Sequence, residues 1–134
     1  SHNIARSLLK EPKIYFFDTG LVKGSNGSRF ENFVASCLLK HALALTDYQA
    51  KVYNLHYLHT KERQKVDFAL VYEKQVEKMI EVKYADAQIQ PSLRYFSDKY
   101  QFPAVQVVKE LKRERVDGGI EILDSDHFLS SLYL

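Results

Sequence analysis

Cysteine, tryptophan, glycine and proline are all scarce in this sequence. Its 134 residues include one cysteine, no tryptophan, five glycines and three prolines. The single cysteine, Cys37, excludes an internal disulfide, and its place among apolar positions indicates packing rather than catalysis. The low Gly and Pro content excludes collagen-like and low-complexity chains. We therefore expect an ordered protein of a reducing, cytoplasmic setting.

An excess of one charge and a long apolar run are also missing. Nineteen basic and 17 acidic side chains leave a net charge of +2, so electrostatics alone would not hold this chain on nucleic acid. A phosphate-binding surface would have to be local, although basic clusters are more often solvated surface. The candidates are the clusters Lys61, Arg63 and Lys65, and Lys109, Lys112, Arg113 and Arg115. No run approaches the roughly 18 apolar residues of a membrane span, so we expect no membrane partner.

Apolar and aromatic residues are plentiful, and their spacing predicts the secondary structure. The chain is 46% hydrophobic, and its length is typical of one domain. Residues 29–46 should form a helix capped by Ser28, because Glu31 follows this serine at the spacing of a capping box. The other predicted elements are strands at 13–17, 52–59, 66–72, 76–84, 104–108 and 120–123, and helices at 91–100 and 126–132. This order predicts an α/β fold, a mixed sheet flanked by helices.

The strands at 66–72 and 76–84 read as a hairpin, which sets a register. If Glu73-Lys74-Gln75 is a three-residue loop, Tyr72 pairs with Val76. Counting back gives one largely apolar face, with the pairs Leu70–Lys78, Phe68–Ile80 and Val66–Val82. The other face carries the pairs Ala69–Met79, Asp67–Glu81 and Lys65–Lys83.

Two carboxylates directly opposed across a sheet repel each other, so the pair Asp67–Glu81 needs a compensating charge. One solution is Mg²⁺ or Mn²⁺, bound by both carboxylates and a substrate phosphate. The other is neutralisation by Lys65 and Lys83 without a metal. In the first case the metal would activate a water, and Lys83 would orient that water or stabilise developing charge. Glu31 is either an outer carboxylate that positions the metal or simply part of the capping box.

Four segments, residues 12–21, 29–34, 66–68 and 80–83, resemble the carboxy-terminal domain of a large family of prokaryotic AAA+-type ATPases. In that family the domain follows an ATPase module and a winged-helix-like region, and it has been classed with the PD-(D/E)XK nucleases. The resemblance implies that residues 1–12 are a tail or linker from the preceding region. Residues 13–134 would then form a domain with a PD-(D/E)XK core.

The resemblance also implies a site and a function. Asp67 followed by Glu81-Val82-Lys83 resembles the D…ExK motif of the nucleases, and Glu31 resembles their helix glutamate. The expected function is a Mg²⁺-dependent phosphodiesterase acting on nucleic acid, with ATP bound only by a module outside this chain, which itself lacks a P-loop motif. The family commonly has an acidic residue where this chain has Lys65.

This departure leaves other functions open. One is a catalytically inactive module that recognises a partner or nucleic acid, or that regulates the ATPase. Another is a subunit-assembly domain, for which Tyr95 and Phe96 could supply exposed aromatic surface.

Overall fold

The structure, a computed structural model, describes residues 8–10 and 25–134. The elements in chain order are β1 (Leu9–Lys10), α1 (Asn26–Gln49), β2 (Tyr53–His59), β3 (Lys65–Tyr72), β4 (Gln75–Ala85), α2 (Pro91–Tyr100), β5 (Ala104–Glu110), β6 (Arg115–Asp117), β7 (Ile120–Asp124) and α3 (Ser125–Ser130). The described strands form one sheet in the order β1-β2-β3-β4-β5-β7-β6. The neighbours β4, β5 and β7 run parallel and the remaining neighbours antiparallel. The predicted mixed α/β sheet with flanking helices is confirmed.

Helices cover both faces of the sheet, because each strand of the central part is apolar on both sides. Leu93 and Phe96 of α2 pack on one face with Ala69, Met79 and Ile122. Helices α1 and α3 cover the opposite face, where the core contains Val34, Leu38, Phe68, Ile80 and Phe128. We call these the α2 face and the α1 face. None of the described helices is long and apolar enough to span a membrane.

The helix predictions were correct in place but not always in their caps. Helix α2 has the predicted bounds, since Pro91 suits a first helical turn and the chain leaves the helix at Gln101 with a positive φ of 61°. Helix α1 starts earlier than expected. Its N-cap is Ser25, whose side chain accepts a hydrogen bond from the Ser28 amide. The predicted capping box between Ser28 and Glu31 is therefore wrong.

The hairpin joining β3 and β4 is tighter than predicted. Tyr72 pairs with Gln75 around a two-residue turn, Glu73-Lys74, in which both residues have a positive φ, as in a type I′ turn. The register then shifts by one residue between Val71–Val76 and Leu70–Lys78, because β4 carries an extra residue, Glu77. This bulge compensates the shorter loop. The predicted pairs Leu70–Lys78, Ala69–Met79 and Phe68–Ile80 are consequently present, and the pair Tyr72–Val76 is not.

Two strands were not predicted, β1 and β6. Strand β6 pairs with β7 through a turn at Gly118 and Gly119, whose positive φ values of 55° and 84° favour glycine. The Gly-Gly dipeptide was the available signal for this hairpin. The strand predicted at 13–17 lies outside the described residues, as do most of residues 1–12.

Candidate acidic site between two strands

Asp67 and Glu81 lie where strands β3 and β4 separate. The backbone register of the two strands runs from Tyr72–Gln75 to Phe68–Ile80. Beyond this point side chains replace the backbone ladder: the Asp67 amide donates to Glu81 Oε1 at 3.1 Å, and the Val82 amide donates to Asp67 Oδ2 at 2.9 Å. The two acids thus each accept a hydrogen bond from the opposite strand. This reciprocal arrangement holds both carboxyl groups side by side.

A β-bulge in β3 determines where the Asp67 side chain can reach. Between the pairs His56–Ala69 and Leu58–Val66, strand β2 has one residue and β3 has two, Asp67 and Phe68. A bulge of this kind re-aims the side chains of the strand that carries it. Val66 accordingly packs in the α2-face core and Phe68 in the α1-face core. The prediction that Val66 and Phe68 share one face is wrong. Asp67 lies between them, at the crossover where the β3 side chains change from the α2 face to the α1 face.

This crossover brings Glu31 into the site. Helix α1 packs on the face of Phe68 and Ile80, not on the Ala69–Met79 face that we expected to carry the acids. The Asp67 carboxyl nevertheless lies within hydrogen-bonding reach of the Glu31 carboxyl on one side and that of Glu81 on the other, and both contacts lower its pKa. Glu31, Asp67 and Glu81 therefore lie together, and we call them the acid cluster.

Burial raises the pKa of two members of the acid cluster. Glu81 is buried, with 6% of its surface exposed. Loss of water raises the pKa of Glu81 to about 8, and the Asp67 charge acts in the same direction. Burial also raises the pKa of Asp67, although the Val82 amide opposes this shift. At neutral pH Glu81 thus retains a proton that an exposed carboxyl group would have released.

Lys83 is the cation beside the acids, and a glutamine relay positions it. Its Nζ lies 3.7 Å from Glu81 Oε2 and donates to Gln90 Oε1 at 2.6 Å. Gln90 is the N-cap of α2, and its amide donates to Gln106 Oε1 at 2.9 Å. The fully buried Gln106 also donates to the carbonyls of Ala87 and Gln88. Strand β5 therefore fixes the start of α2 and, through Gln90, the Lys83 ammonium.

Lys65 does not lie opposite Lys83, where the predicted hairpin register had placed it. It is exposed and pairs with His59 of β2, and its amide donates to Ser92 Oγ. The predicted pairs Val66–Val82 and Lys65–Lys83 are absent from the register that the described strands form. Lys83 lowers the pKa of both Asp67 and Glu81, whereas Lys65 is not among the causes of either shift. Lys83, and not Lys65, is therefore the counter-charge beside Asp67 and Glu81.

The basic clusters are surface residues at the same end of the sheet. Lys61 and Arg63 are exposed in the loop between β2 and β3, and Lys109, Lys112 and Arg113 are exposed at the end of β5 and beyond it. Arg115 is engaged in a two-point contact with Asp86, at 3.1 and 3.3 Å. The first loop precedes β3, which carries Asp67, and the second follows β5, in which Val108 is the register partner of Lys83. Cys37 is buried, as predicted.

The donor set of the acid cluster suits a hard divalent cation, because oxygen ligands are those that Mg²⁺ and Mn²⁺ prefer. Asp67 Oδ1 and Glu81 Oε2 are the oxygens not used by the two backbone amides. In the described part of the chain, however, no three His, Cys, Asp or Glu side chains are spaced as a metal site. Metal binding at neutral pH would require Glu81 to release its proton in exchange for the cation.

Sequence reasoning named Glu31, Asp67, Glu81 and Lys83, and the structure brings these four side chains together. It missed Gln90 and Gln106. A glutamine inside the apolar run 104–108 was the available signal, because a buried amide needs specific partners. Three cavities lie elsewhere: one of about 320 Å³ beside α1 and α3, one of about 410 Å³ beside the end of α2, and one of about 350 Å³ beside the turn between β3 and β4. None of the three is lined by a member of the acid cluster.

Comparison with known proteins gives one match. The model of a family described as a domain of unknown function, DUF4143, matches residues 26–128. The matched range contains all of the acid cluster, Lys83 and both glutamines. Such domains are typically found with AAA-type ATPases. No curated protein and no solved structure matches the chain.

Proposed function

The chain belongs to the DUF4143 family, and we propose that it is a divergent PD-(D/E)XK-type domain that hydrolyses phosphodiester bonds in nucleic acid with Mg²⁺ or Mn²⁺. In the intact protein it would act beside an AAA+-type ATPase module. The observation that carries the proposal is the reciprocal pairing of Asp67 and Glu81 beside Lys83. Packing does not explain this arrangement, since buried acids raise the free energy of the fold when they ionise.

Each side chain has a distinct role in the proposed reaction. Asp67 and Glu81 would hold the cation, which supplies a bound water of lowered pKa and offsets charge on the attacked phosphate. Lys83 is held by Gln90 and can stabilise charge that develops on the phosphate oxygens. Glu31 contacts Asp67 and would position it. Gln106 acts at a distance, because it fixes the backbone that carries Gln90.

Cleavage assays with isosteric variants test the proposal. Plasmid and single-stranded substrates should be cut in the presence of Mn²⁺ or Mg²⁺, and Asp67→Asn and Glu81→Gln should each lower the rate at least about 100-fold. Glu110→Gln is a matched control, since Glu110 is exposed at the end of β5. Equal cleavage by Asp67→Asn, Glu81→Gln and Glu110→Gln would show that a contaminating nuclease cuts the substrate. Absence of cutting on every substrate would sink the proposal.

A second function is a non-catalytic module that regulates the ATPase or recognises a partner. One observation favours it: Asp67 and Glu81 each accept a hydrogen bond from a strand amide, and the Lys83 ammonium lies 3.7 Å from Glu81 as a counter-charge. Calorimetric titration with Mn²⁺ separates the two functions. Binding with micromolar affinity that Asp67→Asn abolishes favours the nuclease, and no heat of binding favours the regulatory module.

A further inference from the structure

A second, basic cleft lies near the acid cluster and has no part in the function proposed above. Its volume is about 410 Å³, within the roughly 300–1,000 Å³ range of ligand pockets. Three lysines and a histidine line it, against a single carboxylate: Lys10, Lys61, Lys99, His59 and Glu62. A cleft with this balance of charges favours an anionic ligand.

Two tyrosines, Tyr95 and Tyr100, form the aromatic part of the cleft. Lys99 Nζ lies over both rings, 5.4 and 5.5 Å from their centres, and bonds the Tyr95 hydroxyl at 3.1 Å. Tyr100 is stacked on Phe102, with a centroid distance of 5.1 Å and an angle of 12°. Because Phe102 is buried in the α2-face core, its stacking restricts the motion of the Tyr100 ring. Rigid tyrosines beside lysines are the means by which proteins bind the bases and phosphates of single strands.

The loop that lines the cleft is also held in a fixed shape. Thr60 accepts the Arg63 amide and donates its own amide to the Gln64 carbonyl, while its hydroxyl accepts the Gln64 amide. Arg63 has a φ of 67°, which is unfavourable for a non-glycine residue. The Ser92 hydroxyl ties Gln64 to helix α2. Lys61 is therefore presented from a rigid turn rather than a loose loop.

The cleft is close enough to the acid cluster to bind the same strand of nucleic acid. His59 is the register partner of Lys65, which precedes Asp67 by two residues. At about 3.3 Å per residue along a strand and about 4.8 Å between strands, His59 and Asp67 are about 8 Å apart at Cα. A nucleic acid strand with a rise of about 3.4 Å per nucleotide covers this distance in two or three nucleotides.

We propose that the cleft binds a nucleotide of single-stranded nucleic acid, with its phosphate on Lys61 and Lys99 and its base against Tyr95 and Tyr100. The proposal rests on the proposed function only for the identity of the polymer; the cleft itself needs neither the metal nor an active acid cluster. Bases paired in a duplex would be unable to stack on the tyrosines, so the single strand is preferred.

Binding is measured without cleavage, by fluorescence anisotropy of a labelled thymidine 12-mer in EDTA. We expect the double variant Lys61→Met/Lys99→Met to bind at least about tenfold more weakly. The slope of log affinity against log salt should fall by about 0.7, the contribution of the one phosphate that the two lysines neutralise. Tyr95→Leu keeps the apolar packing and should weaken binding about fivefold or more, through lost stacking. Lys40→Met, which removes an exposed lysine from α1, should bind like the wild type.

Further probes separate this proposal from the function of the acid cluster. Glu81→Gln should abolish cleavage and retain oligonucleotide binding, so failure of the nuclease leaves the cleft proposal intact. An abasic 12-mer and a duplex should both bind more weakly than the thymidine strand. The proposal is overturned if the wild type binds no oligonucleotide, if the abasic strand binds as tightly, or if Lys61→Met and the double variant keep the wild-type affinity and salt slope.

Discussion

Replacing Glu81 with Gln should stabilise the protein at alkaline pH. Burial raises the pKa of Glu81 from 4.5 to about 8. Between these values the folded protein holds a proton that the unfolded chain has released, so stability falls as pH rises. The contribution of Glu81 is thus fully present below about pH 4.5 and is lost above about pH 8. Gln cannot ionise, yet its amide oxygen can still accept the hydrogen bond from the Asp67 amide.

The size of the effect follows from the pKa shift. Each unit of pKa difference between the folded and unfolded chain corresponds to about 1.36 kcal/mol, so a rise from 4.5 to about 8 sets an upper limit of about 5 kcal/mol. The Asp67 charge contributes to this rise, so the loss is divided between the two acids. We expect the stability of Glu81→Gln relative to wild type to increase by about 2–5 kcal/mol between about pH 5 and pH 9.

Urea unfolding followed by far-UV circular dichroism provides the assay, since the chain has no tryptophan to report by fluorescence. Glu110→Gln serves as the control, because its exposed carboxylate should leave the difference from wild type nearly independent of pH. A Glu81→Gln difference that is equal at both pH values would refute the raised pKa of Glu81.

Three further predictions concern the surroundings of the acid cluster. Gln106→Leu should cost about 2–4 kcal/mol in urea unfolding, because the Gln90 amide and two carbonyls lose their partner; a cost under about 1 kcal/mol would contradict this. Gly118→Ala should destabilise more than Gly119→Ala, since only at Gly118 would a Cβ displace the Arg94 guanidinium from the carbonyls of Asp117 and Gly118; equal melting temperatures would contradict this. Mn²⁺ affinity, measured by calorimetry, should rise up to about tenfold per pH unit below about pH 8 as Glu81 loses its proton, and a flat profile would exclude this acid as a ligand.

The sequence predicted most of the fold because most of the elements carry a local signal. Pro91 and the apolar spacing after it gave α2 its bounds, and the alternation in 66–84 gave the hairpin. The N-cap of α1 was assigned to the wrong serine, because Ser25 and Ser28 are both acceptable caps and only the packed helix distinguishes them. Strand β6 is three exposed residues long, and its alternation is too short to recognise.

The site was predicted in composition but not in geometry. Asp67, Glu81 and Lys83 could be brought together by counting along a hairpin, since residues on paired strands have fixed partners. The count was correct at Phe68–Ile80 only because the bulge at Glu77 compensates a shorter turn. Gln90 and Gln106 could not be assigned, because their contacts join a helix terminus to a strand through a loop.

The sequence by itself determined the α/β class, the two acids on neighbouring strands and the lysine beside them, because these follow from local periodicity and from strand pairing. The tertiary structure alone decided which face each acid reaches. The bulge at Asp67 and Phe68 changes which face of the sheet the β3 side chains reach. Asp67 therefore contacts both Glu31 of α1 and Glu81 of β4. Burial, which no local pattern specifies, then decides that Glu81 keeps its proton at neutral pH, and the strand register decides that Lys83 rather than Lys65 lies beside it.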